Sequence, residues 1–92
     1  MYVHIGGECS LPDRFVVGIF DMDATTQGTD DTRSFLARAE REGRLDVVSA
    51  DIPRSFVVTL DRVYLTPVAA ATLRRRLHGA TVLREPEEEE PE

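Results

Sequence analysis

Ninety-two residues with 41% hydrophobic and 30% charged side chains have the balance of one globular domain, too short for a second catalytic unit and too mixed for a disordered chain. Apolar runs no longer than five or six residues leave nothing able to span a bilayer as a helix. The net charge of −6 argues against nucleic acid only until it is divided along the chain. Residues 1–84 hold eleven acidic residues against all eleven basic ones, every one an arginine, and the other six acids lie in the terminal run "EPEEEEPE".

In chain order, "MYVHI" alternates and meets Gly6-Gly7, which predicts a short strand and a turn. The same stretch lacks the basic start and long apolar core of a signal peptide, so a cytoplasmic protein is expected. The lone Cys9 has no internal disulfide partner, which suits a reducing compartment, and reads as a small buried hydrophobe. "FVVGIF" (15–20) predicts a second strand, apolar on both faces, and "DATTQGT" a loop. Thr29 is placed to cap a helix over about 30–42, with Asp30 and Asp31 at its positive end, Phe35, Leu36 and Ala39 on one face, and Gly43 as the stop.

A short third strand follows at Leu45–Val48, then a loop ending at Arg54. "SFVVTL" and "VYLT", split by Asp61-Arg62, predict a hairpin. Thr66-Pro67 predicts the start of a last helix over about 67–78, with Ala70, Leu73 and Leu77 inward and Gly79 closing it. The expected architecture is a small single α+β domain over residues 1–84, roughly ββαβββα, and residues 85–92 are expected to form a disordered acidic tail. "FVVGIF" and "SFVVT" seem to carry more apolar surface than so short a chain covers, which points to a homo-oligomer.

The stretch Asp21-Met22-Asp23-Ala24-Thr25 after an apolar strand has the form of an aspartyl-phosphate phosphatase motif, an Asp nucleophile with a second carboxylate as general acid. That chemistry also needs a cation on the phosphoryl group and further Mg²⁺ ligands on a large parallel sheet, and the chain has no lysine and no parallel doubly wound pattern. The expectation is therefore a protein that is not an enzyme, with no catalytic residues, no small-molecule substrate and no cofactor. His4, His78 and Cys9 have no metal-ligand spacing, so no metal site is expected. Among the arginines, Arg14 and Arg54 each stand in a loop directly before an apolar strand and form one basic rim if those strand starts are neighbours. Arg74, Arg75 and Arg76 are weaker DNA-binding candidates, because consecutive helical positions fan apart by 100°.

"MYVHIGG", "VVGIFD", "PRSFVVT" and above all "YLTPVAAATLRRRL" together resemble the extracellular matrix regulator family RemA/RemB, closer to the RemB branch. Tyr64, Thr66, Pro67, Val68, Thr72, Leu73 and Arg76 meet that branch's helix-start pattern, with Ala69, Ala70 and Ala71 in place of small polar residues. The resemblance implies a non-enzymatic subunit that assembles into a ring and, as in the RemA branch, binds DNA to regulate extracellular matrix (biofilm) genes. It implies DNA contacts from Arg14 and from the loop "ADIPRS", which here carries only Arg54. The alternative is a protein-interaction subunit that modulates a related DNA-binding regulator without touching nucleic acid.

Overall fold

A computed structural model describes the backbone of residues 1–22 and 30–89, with side chains described as far as Gly79 except for Asp30. The expected loop at 23–29, with the Thr29 cap, lies outside the described residues. Six strands and two α-helices alternate as β1 (Tyr2–Gly6), β2 (Cys9–Pro12), a single 3₁₀ turn (Asp13–Phe15), β3 (Val16–Asp21), α1 (Asp30–Arg41), β4 (Leu45–Val47), β5 (Ser55–Thr59), β6 (Val63–Thr66) and α2 (Ala70–Glu89). The α+β class stands, with one strand more than expected. "CSLP" was not legible as a strand because it turns only Leu11 into the core and ends in a proline.

The strands form two sheets. β1 and β2 are an antiparallel hairpin, and the other four lie in the order β3-β5-β6-β4, antiparallel except for the parallel pair β4/β6. β5 is interior and hydrophobic on both faces because both faces are covered. Val57 points to a core of Val3, Ile5, Leu11 and Leu73 under the hairpin and α2, while Phe56 points to Ala39 and Val63 under α1. That corrects part of the oligomer reasoning, since "SFVVT" finds its cover within one chain. β3 does not: Val17 and Phe20 on this edge strand stay 63% and 41% exposed.

Two contacts join the layers. Gly6 turns at φ +124°, a region that disfavours side chains, and a Cβ there would sit 2.7 Å from the Thr66 hydroxyl. The space left by that glycine lets Thr66 Oγ1 donate to the Ile5 carbonyl while accepting the Val68 N–H at 3.1 Å, so that β1, β6 and the approach to α2 meet at one buried hydroxyl. The same bonds explain a correction. α2 begins at Ala70 rather than at Pro67, because residues 67–69 are pinned in a bend, with the Val68 carbonyl accepting from Ser55 Oγ at 2.7 Å.

Gly43, at φ +73°, ends α1 as expected, whereas Gly79 does not end α2. Gly79 lacks the positive φ of a helix-stopping glycine, and the backbone continues helically to Glu89. The acidic run 85–92 thus enters the last turn of α2 and then passes beyond the described residues.

Candidate nucleic-acid interface

Arg14 projects from the 3₁₀ turn, whose first residue is anchored. Asp13 is 6% exposed, its N–H donates to the Met1 carbonyl at 2.9 Å, and its carboxylate lies 3.7 Å from the Met1 ammonium. Its carbonyl accepts the Val16 N–H, closing the turn. Arg14 itself is exposed, its guanidinium 5.4 Å from the centroid of the Phe15 ring. Arg54 is exposed too, on a backbone held at both ends: its N–H donates to Thr66 at 2.8 Å and its carbonyl accepts from Met22 at 2.9 Å. Among the described residues neither guanidinium has a carboxylate partner.

The two arginines do not share a rim within one chain. β3 and β5 are antiparallel, with Val16 opposite Thr59 and Asp21 opposite Ser55, so the start of β3 and the start of β5 lie at opposite ends of the pair. Five strand steps separate those ends by about 17 Å. Strand direction was the missing piece of the sequence reasoning, since two residues that each precede a strand are neighbours only if the strands are parallel.

The three helical arginines diverge as their spacing requires. Arg74 donates to the Ile19 carbonyl of β3 at 3.0 Å, Arg76 donates to the His4 carbonyl of β1 at 2.8 Å, and Arg75 is exposed. Two of them therefore tie α2 to strands on either side. Arg44 bonds Glu42 Oε1 at 2.7 and 2.9 Å, and Arg62 grips Asp46 through both carboxylate oxygens at 2.9 and 3.0 Å. Neither pair is visible in the sequence as a motif, because Arg62 and Asp46 are brought together only by the parallel pairing of β4 with β6.

Around that pair the electrostatics are those of a structural cluster. The Arg62 hydrogen bonds hold the Asp46 carboxyl below its ordinary value despite some burial. Burial first, then the Asp46 charge, push the Cys9 thiol up. Burial, then Cys9 and Asp46, do the same to the Tyr64 hydroxyl. A thiol displaced upward is a poor nucleophile, in keeping with Cys9 as a packing residue against the hairpin core. Asp21 stands at the end of β3 opposite Ser55, and Asp23, the other half of the phosphatase-like pair, lies outside the described residues. No helix among the described residues is long and apolar enough to cross a membrane.

The extracellular matrix regulatory protein B of Bacillus subtilis (strain 168) is similar to this chain, 32% identical over 76 residues that cover 83% of the chain and 89% of the relative. The chain belongs to the extracellular matrix regulatory protein B family. No family model matches it. In this RemB-like chain the "YLTP" signature has a structural job: Thr66 is the buried latch just described, and Tyr64 packs against the hairpin core. The alanines that follow are also explained, since Ala70 is 1% exposed where α2 comes down on the sheet.

Proposed function

We propose that this RemB-like chain is a non-enzymatic cytoplasmic regulator that assembles into a homo-oligomer and binds DNA through phosphate contacts from Arg14 and Arg54. The observation that carries the reading is Arg14, an exposed guanidinium with no carboxylate partner, on a turn anchored by a buried Asp13. A fixed, uncommitted cation is what a phosphate contact requires, and repetition through an oligomer makes each later contact intramolecular, so that weak single contacts add to useful affinity. The relative's name as an extracellular matrix regulatory protein supports a role in controlling matrix genes.

The test is a DNA shift measured across salt concentrations. Affinity should fall with a log–log slope of about −0.9 per phosphate neutralised. Arg14→Ala should weaken binding to all sequences and flatten that slope without changing the oligomer's mass, while Arg75→Ala does much less. Absence of salt-sensitive binding in the wild type would instead favour the protein-interaction subunit. That second reading draws support from the dispersal of Arg14 and Arg54 to opposite sheet ends and from the salt bridges of Arg44 and Arg62. Turnover of an aryl phosphate that disappears in Asp21→Asn would overturn the non-enzymatic part.

A further inference from the structure

α1 crosses one face of the four-stranded sheet without covering its two edges. On the β3 flank it leaves a groove of about 330 Å³ lined by Val17, Phe20, Phe35, Phe56 and Val58, with Asp31 at the rim. On the β4 flank it leaves a wider one of about 680 Å³ whose lining includes Met22, Leu36, Leu45 and Leu65, with Arg33 and Glu40 at the rim. Val47 shares its strand face with Leu45 and is 59% exposed, and Ile52 in the connection to β5 is 83% exposed. Two apolar patches thus lie on opposite edges of one sheet, separated by β5 and β6.

The patches are unlike, and that limits how copies can meet. A two-fold contact pairs a patch with itself and leaves the other in water, whereas a head-to-tail contact covers both with one repeated interface. We propose that copies of this chain join head to tail, with the β3 flank of one (Val17, Phe20) packed on the β4 flank of the next (Val47, Ile52). The rims are complementary in part, since Asp31 and Arg33 are two residues apart on α1 and so fall on opposite flanks. Side chains rather than a continued β-ladder make the joint, because Arg74 already occupies the Ile19 carbonyl on β3. The inference deepens the assembly part of the reading above and rests on it, but makes no use of DNA.

Two exposed positions test it: Val17→Asp blocks one flank and Val47→Asp the other, with folding checked by circular dichroism and mass by light scattering at micromolar concentration without DNA. Each variant alone should be a monomer. Mixed in equal amounts they should give a dimer and nothing larger, because each retains the flank that the other has lost. Phe20→Ser with Ile52→Ser repeats the experiment if either aspartate variant fails to fold. A wild type that assembles while the paired variants never complement overturns the head-to-tail joint alone, and so does a Val47→Asp variant that assembles like the wild type. A monomeric wild type overturns the assembly reading as well, whatever the DNA shift shows.

Discussion

The hydroxyl of Thr66 is fully buried and holds two backbone groups, the carbonyl of Ile5 and the N–H of Val68. Thr66→Val keeps the shape and removes both bonds, leaving two backbone groups without this partner. The expected cost is about 1–3 kcal/mol, read as a lower urea midpoint at unchanged slope. Asp46 makes a prediction in pH. Its folded value is lowered by Arg62, so its contribution to stability is present above its unfolded value of about 3.9 and is lost as pH falls through the lower folded value. The effect is small, since the side chains are 39% and 42% exposed. Asp46→Asn should lower the urea midpoint slightly at pH 7 and leave it unchanged at pH 2.5; an equal loss at both would show that the contribution is not ionic. Cys9, its thiol held protonated by burial, should react slowly with iodoacetamide at pH 7.5 and at an ordinary rate once urea unfolds the chain.

At the scale of elements, α2 shows how one helix divides its labour. Leu73 is fully buried against the hairpin core, Leu77 packs beside it, and Arg74 and Arg76 bond β3 and β1. Leu73→Ala should cost roughly 2–5 kcal/mol, while Arg75→Ala on the exposed side should stay within roughly 0.5 kcal/mol, both by urea unfolding. These docking residues all precede residue 80, so cutting the chain after Arg84 should leave fold and assembly unchanged. Removing six glutamates per subunit should also tighten DNA binding at low salt. Equal affinity before and after the cut would mean that the acids are only solvated. Phe20 on β3 shows the opposite use of an element. Its ring stacks on Phe56 at 5.1 Å, and a Cβ on Gly18 would come within 2.7 Å of that ring, so the glycine gives Phe20 room while the edge stays open.

At the scale of the whole molecule, the strand directions set what an assembly can present. β3, β6 and β4 run the same way and β5 runs against them, so edge-to-edge copies with aligned strands would gather every Arg14 on one rim and every Arg54 on the other. Mutating the two should then have independent effects on DNA affinity, with the double variant losing the product of the single losses. A strong departure from that product would place both arginines on one phosphate cluster and require a different joint.

Much of this was legible in the residues themselves. The inward positions of both helices, the β5–β6 hairpin and the stop at Gly43 followed from period and turn chemistry, because those signals act over a few neighbours. The family followed from "YLTPVAAATLRRRL" and its flanking segments, spread over most of the chain. What local patterns could not supply were the pairings. The antiparallel register that parts Arg14 from Arg54, the parallel contact that joins Asp46 to Arg62, the coverage of β5 on both faces and the open flank at Phe20 all depend on which strands meet and in which direction. Those choices are made by long-range packing of the hairpin and two helices on the sheet, where burial and hydrogen-bond satisfaction outweigh any preference carried by a single short run.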